Sequence, residues 1–361
     1  MRNAAYLRNK DGLAAHDIAM HLALSERLAA LGGCKFLGER EAAALDPDAF
    51  LIPSDTIPTL DTARLLNIKD ENDLFGGVAP APFVATKAIT QGLVERDASC
   101  PFGWSHDFHA EVADAVLDGY AAFTLPDATM AGRRILERCG PARVKPVRGV
   151  GGRGQTVVAD AAGLDAALAA IGDAELASAG VVIEENLADV TTISVGQVRV
   201  GGLVAAYWGT QRVTADRAGA PVYGGSALHV VRGGFEALLG HDPPDPIKTA
   251  VAQACRYDRA IGACYPGAFA SRRNYDVAQG FARGNWKSGV LEQSWRIGGA
   301  TGAEVAALEA FRADPDRRVA KAATVEVYGP GQTPPEGAIV YFHGVDPVLG
   351  PMLKYAVLEP P

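Results

Sequence analysis

Three things are scarce in this chain, and each closes off a class of protein. Cysteine is the first. The five, Cys34, Cys100, Cys139, Cys255 and Cys264, are odd in number and form no Cys-x-x-Cys pair. That usage argues against a disulfide framework and for single reduced thiols in a cytoplasmic protein. Long apolar runs are the second. No stretch reaches the ~18 residues that span a bilayer, and the chain does not open on a charged segment, an apolar segment and a cleavage site. No membrane span and no secretion signal are therefore expected. Positive charge is the third. Lys and Arg number 34 against 42 Asp and Glu, a net charge of −8. An acidic balance speaks against a nucleic-acid surface, which needs clustered cations for the phosphates, although it leaves room for a local cationic cleft. Repeats and low-complexity linkers are absent too.

What is present is an ordinary globular composition, 48% apolar and 21% charged over 361 residues. That is material for two or three compact units. The N-terminal part alternates. Helical spacing at 12–33 ends in two glycines, a short apolar strand follows at 49–55, helical spacing returns at 59–68, and a further strand is predicted at 82–89. Such alternation predicts an α/β unit with a mostly parallel sheet. A helix is predicted over 107–119, and another within 123–140, with an Asp at its N-cap and Gly140 as its stop. Helix 163–172 and strand 180–187 follow. From about 190 the pattern is mainly extended. Strands at 191–214 turn at Gly201-Gly202, and 265–280 pairs with 289–299. Helices are predicted at 246–262 and 301–314, the latter with a capping box from Thr301 to Glu304. Two closing strands lie at 337–344 and 352–359.

The run "VKPVRGVGGRGQTVV" carries the chemistry. Gly149, Gly151 and Gly154 fit G-x-G-x-x-G, but the residues that follow are β-prone. A dinucleotide fingerprint needs a helix there, and no Gly-Lys-Ser/Thr closes the run as a Walker A loop would. A glycine loop between two strands is a different device. Its N–H groups can fold over a nucleotide's phosphates, while Lys145, on the strand beneath, supplies a point charge. Lys145, Arg148 and Arg153 bracket the glycines; an exposed hairpin would have no packing use for them.

Further on, "NYDVAQG" and "LEQSWRIGG" read as neighbouring strands. Glu292 and Ser294 are two apart, so their side chains face the same way, with Arg296 on that face as well. Asp276 can add a carboxylate from the adjacent strand. Such hard oxygens suit Mg²⁺ completed by phosphates and water.

This order of parts resembles the ATP-grasp superfamily, from about 120 to 310. The resemblance implies an N-terminal α/β domain followed by two α+β lobes that clamp the nucleotide. The expected boundaries are 1–105, 106–190 with a lid core at 141–187, and 191–361. It implies ATP held by Lys145, Arg148, Gly151, Gly152, Arg153, Gly154 and Gln155. Glu184, Glu185, Asn186 and Leu187 would line the adenine pocket from the hinge strand "VVIEENL". Mg²⁺ would be bound by Asp276, Glu292 and Ser294. Arg296 would steady the transferred phosphoryl group. Among the substrate-side candidates Arg212, Arg232, Arg272 and Arg273, Arg232 is preferred as a catalytic residue, and 223–234 is read as a loop over the acceptor.

The chain departs from the family's Glu-x-Asn-x-Arg run by having Ser294. A second nucleotide lysine is not evident on the helix before the lid, where His106 and His109 stand. The implied reaction joins a small-molecule carboxylate to an amine or thiol through an acyl phosphate. A kinase on the same scaffold, or a non-catalytic nucleotide-binding protein, are the competing readings. A homodimer is the default expectation for assembly.

Overall fold

Apolar residues at helical and alternating spacing build three successive groups of elements in this computed structural model, which describes residues 1–149, 154–215, 219 and 221–359. The first group contains β1 (Asn3–Leu7), α1 (Ala15–Leu31), β2 (Lys35–Glu39), β3 (Phe50–Pro53), α2 (Leu60–Leu65) and β4 (Gly77–Val78). The first three strands pair in parallel in the order β2-β1-β3, as the alternation predicts. Helix α1 buries Met20, Leu24 and Leu28 on one face, and a fully buried Leu contributes roughly 1.5–3 kcal/mol. The run at 82–89 differs from expectation. It forms two short 3-10 turns, Pro82–Ala85 and Lys87–Thr90, rather than a strand. The Thr86 hydroxyl accepts the Ala88 N–H, a local capping bond that overrides the β-prone Val84 and Ile89.

The second group contains β5 (Gly92–Leu93), α3 (His106–Val112), β6 (Gly119–Ala122), α4 (Leu125–Cys139), β7 (Ala142–Pro146), β8 (Thr156–Val158), α5 (Ala161–Ile171), α6 (Asp173–Ala179) and β9 (Val181–Glu185). Its sheet has the order β5-β6-β9-β7-β8. Strands β7 and β8 are antiparallel neighbours, so the glycine run does join two strands. Helix α3 stops at Val112, and Gly119 opens a strand instead of ending a helix. Thr124, not Asp127, caps α4, its hydroxyl accepting the Asp127 N–H. Gly140 ends the helix at φ 87°, a conformation that favours glycine.

The third group contains β10 (Ala188–Val200), β11 (Leu203–Ala215), β12 (Pro221–Arg232), α7 (Phe235–Gly240), α8 (Asp245–Cys264), β13 (Phe269–Ala270), β14 (Arg272–Ala282), β15 (Asn285–Ser294), α9 (Thr301–Ala313), β16 (Val319–Tyr328), β17 (Ile339–Asp346) and β18 (Gly350–Leu358). Eight strands form one antiparallel sheet ordered β15-β14-β10-β11-β12-β16-β18-β17. The stretch 223–234 is therefore mostly an inner strand, not a loop over the acceptor. The capping box at 301–304 does not form. Ala300 precedes the helix, and Glu304 turns inward to Arg272 at 2.7 Å.

The two faces of this sheet are used differently. Ile193 and Val195 pack beneath α3 and α8, while Val198 and Val200 pack with α1 and α9 on the other face. Along that second face the apolar covering gives way to polar groups. Ser194 stands opposite Asp276, and Asp276 opposite Glu292, in the strand register. This polar stretch forms an acidic floor on that face of the sheet.

Candidate active site

Lys145 sits on β7 and reaches across to β9. Its ammonium lies 2.8 Å from Glu184 Oε1, with side-chain exposures of only 3% and 2%. A buried pair of this kind is stable only if the remaining lone pairs are satisfied. Glu184 Oε2 is buried and has no partner among the described residues. An orphan acceptor beside a buried ammonium fits the exocyclic amino group of a nucleobase.

The rest of the hinge divides its tasks. The Asn186 amide oxygen accepts from Arg143 at 2.8 Å. Leu187 is buried with Leu117, Ala278 and Ala282, and Leu291 packs against them, an apolar slot at the end of β14 and β15. Glu185 points elsewhere. Its carboxylate accepts the Asp118 N–H at 3.2 Å and pairs with Lys287 at 3.5 Å. It lines a separate cavity of about 380 Å³, together with His109, Tyr120 and Arg138. Glu185 is thus turned away from the Lys145–Glu184 pair.

Around the glycine run, Arg148 is exposed and Gly149 N–H donates to Pro146 O at 3.1 Å. Gly154 has φ 74°, and the Gln155 side chain accepts from Arg143 at 3.2 Å. Gly151, Gly152 and Arg153 lie outside the described residues.

The second lysine is Lys87. Its side chain is 4% exposed. The ammonium donates to Gly149 O at 2.6 Å and stands 3.2 Å from Glu292 Oε2. It therefore joins the start of the glycine run to the carboxylate of the opposite sheet. Gln293 explains its placement. The amide of Gln293 donates to the carbonyls of Val84 and Thr86, at 2.5 and 2.9 Å. This pins the Lys87 turn against β15. A lone lysine in an irregular run carries no periodicity, so the sequence offered no signal for it beyond its identity.

Asp276 and Glu292 make the acidic end. Ser194, Gln211 and Asn274 donate to Asp276 Oδ1 at 3.0, 3.1 and 3.0 Å, and all three bonds end on that one oxygen. Burial, and then the Glu292 charge, push the Asp276 carboxyl above its usual range. Two carboxylates facing each other with free oxygens fit a divalent cation. Ser294 lies opposite Asn274 in the register, and its carbonyl accepts from Arg272 at 3.1 Å.

Arg296 leaves this strand towards the first sheet, and its Nε lies 3.6 Å from Asp55. The other candidate arginines are engaged elsewhere or exposed. Arg232 donates to the carbonyls of Phe311 in the last turn of α9 and of Asp314 and Arg317 beyond it and stacks 5.0 Å above the Phe311 ring. It is a helix cap, which corrects its expected catalytic role. Arg272 is locked to Glu304, Arg273 pairs with Asp258 at 3.1 Å, and Arg212 is exposed on β11.

A family model described as a protein of unknown function (DUF3182) matches residues 5–356. The chain belongs to that family. No curated protein matches it in sequence. Among solved structures, it is similar to N5-carboxyaminoimidazole synthetase from Staphylococcus aureus complexed with ADP. The TM-score is 0.57 at 12% identity, over 100% of this chain and 95% of that one. It is also similar to phosphoribosylamine–glycine ligase from Thermotoga maritima, with TM-score 0.52, 15% identity, and 98% and 91% covered. A third is the biotin carboxylase domain of 2-oxoglutarate carboxylase from Hydrogenobacter thermophilus, in complex with MgADP, ADP and bicarbonate. There the TM-score is 0.53 at 13% identity, over 100% and 87%. The DUF3182 chain thus has the ATP-grasp fold, an α/β domain followed by two α+β lobes. Among its described residues no helix is long and apolar enough to cross a membrane.

Proposed function

We propose that this protein is an ATP-dependent ligase that joins a carboxylate to an amine or thiol. The observation that carries the reading is Lys87, which meets both Gly149 at the glycine run and Glu292 at the acidic floor. That contact draws the lid strand pair and the acidic floor together around one cationic point. On this reading residues 1–105, 106–190 and 191–361 are the three domains, and the protein is cytoplasmic, in keeping with five free cysteines.

ATP with Mg²⁺ would supply the phosphoryl group that turns the acid into an acyl phosphate. The protein's part is positioning and neutralisation of charge. Lys145 was expected at the phosphates, but its pairing with Glu184 suits the base edge, which the two would hold while the slot of Leu187, Ala278 and Leu291 excludes water from it. Lys87 would neutralise the phosphates. Asp276 and Glu292 would hold the cation, with Ser294 as the third candidate ligand. Arg296 faces the reacting end and stabilises charge that develops there.

The test is ADP release from pools of amino acids and small carboxylates, followed by mass analysis of the product. An amide or thioester formed with ADP supports the ligase. A phosphorylated product alone would instead make the chain a kinase. ATP binding without ADP over the whole panel would favour a non-catalytic nucleotide-binding protein.

A further inference from the structure

The two loops that end β1 and β3 are locked to each other in a way that packing does not require. Ser54 is 1% exposed. Its hydroxyl oxygen accepts the N–H groups of Asn9 and Lys10, each at 3.0 Å, and donates to Asn9 Oδ1 at 3.1 Å. Asn9 in return accepts the Asp55 N–H at 2.8 Å and donates to the Asp55 carbonyl at 3.0 Å. The C-terminal ends of neighbouring parallel strands are where α/β sheets seat ligands, and here that end is rigid.

It presents Lys10 and Asp55 towards the third group of elements, where Arg296 meets them. The Lys10 ammonium is 3.4 Å from one Asp55 oxygen, and Arg296 Nε is 3.6 Å from the other. Both separations are long for a charge-assisted hydrogen bond. Asp55 is itself held by the Thr56 N–H at 2.9 Å. Two cations thus share one fixed carboxylate, and among the described residues no second carboxylate pairs with either of them. All three side chains are partly open, at 29%, 36% and 25% exposure. Behind them His21 is buried, and its imidazole is held down to about 4. Burial is the main cause, Asp17 opposes it, and Arg296, Lys354 and Lys10 add to it. The shared Asp55 carboxylate, 3.4 Å from Lys10 and 3.6 Å from Arg296, is what brings the two cations together.

We propose that Lys10 and Arg296 form an oxyanion seat between the N-terminal domain and the last lobe, preset by Asp55, which takes a carboxylate or phosphate group of the substrate. The seat rests on the ligase reading only for the identity of that substrate as the acid to be activated. Its new element is Lys10. The N-terminal loop lysine makes this a two-cation seat, selective for small anionic substrates over neutral ones. Lys10 acts as a binding and specificity residue.

The test is calorimetric titration of the full-length protein at low ionic strength, where screening is weak. Inorganic phosphate and malonate are the two probes, each with and without saturating MgADP. Either anion should bind the wild type. Lys10→Met should weaken it about tenfold, the loss of one charge-assisted contact, while leaving MgADP affinity unchanged. Asp55→Asn, which keeps the Thr56 contact but removes the competing charge, should tighten it. Binding of phosphate alone assigns a phosphorylated acid, and of malonate alone a carboxylic acid. No binding of either anion to the wild type overturns the seat, as does equal affinity in Lys10→Met. Failure of MgADP to bind, with the anion titrations intact, would count against the ligase reading and leave the seat standing.

Discussion

Lys87 Nζ lies 3.2 Å from Glu292 Oε2, although the two belong to separate parts of the chain. The lysine comes from a 3-10 turn after the first sheet, the glutamate from a strand of the last. Among the described residues this buried ammonium is answered by one carbonyl and one carboxylate, and burying a charge is costly unless it is used. On the proposed ligase reading that use is the phosphates. Lys87→Met should weaken MgADP binding by about tenfold or more, while Lys87→Arg retains part of it. Titration with MgADP measures both. Equal affinity in Lys87→Met would remove the lysine from the nucleotide site.

The buried Lys145–Glu184 pair separates stability from binding. Removing one partner of such a pair strands a charge and costs about 3–5 kcal/mol. Lys145→Met should therefore lower the thermal midpoint sharply. The double variant Lys145→Met with Glu184→Gln should recover much of that loss yet still fail to bind nucleotide. Recovery of binding along with stability would show that the pair is structural only.

The glycine run, the hinge strand and the Asp276–Glu292 hairpin were legible because each is a local pattern. An apolar strand ends in named polar residues, and the alternation fixes the facing. What escaped has physical reasons. Lys87 lies in a run whose Val and Ile suggest a strand, but the Thr86 cap and the Gln293 bonds make it two turns. The stretch at 223–234 looked like a loop because of Gly224 and Gly225. Gly225 has φ 129° and would bring a Cβ within 2.0 Å of Thr324 O. It marks an irregularity in β12, where the register with β11 shifts, and not the end of a strand. Arg232 resembled a substrate ligand because an arginine's partners are set by tertiary contacts. Here they are the carbonyls beyond α9.

That correction makes its own prediction. Arg232→Ala should cost about 1–3 kcal/mol in stability, through lost carbonyl contacts and the stack on Phe311. MgADP affinity should not change. Thermal unfolding and nucleotide titration on the same sample measure the two. A loss of affinity in a folded Arg232→Ala protein would return the residue to the site.

His21 sets a pH dependence. Its ordinary value of 6.5 falls to about 4 in the fold, first because it is buried. Between those values the unfolded chain binds a proton that the folded chain refuses, so stability rises with pH and is lost as pH falls from about 6.5 to about 4. The contribution is about 3 kcal/mol at its fullest. His21→Gln, which retains a polar contact for the Tyr6 hydroxyl, should flatten that part of the profile of thermal midpoint against pH. An unchanged slope in the variant would show that other groups carry the acid sensitivity.

The paired carboxylates give the sharpest test of the acidic floor. Asp276 and Glu292 face each other across β14 and β15, and the three donors of Asp276 all bond Oδ1. Facing carboxylates repel, and on the proposed reading a divalent cation would relieve the repulsion while Lys87 serves the phosphates. Mg²⁺ should therefore raise the thermal midpoint of the wild type, and raise it further with ADP present. Glu292→Gln removes one charge and keeps the shape. It should bind ADP without the additional gain from Mg²⁺, and show no turnover on any substrate that the wild type accepts. Asn274 touches Asp276 without facing Glu292 in the same way, so Asn274→Ala should keep most of the Mg²⁺ effect. If Glu292→Gln responds to Mg²⁺ as the wild type does, the cation is bound elsewhere and the floor has another use.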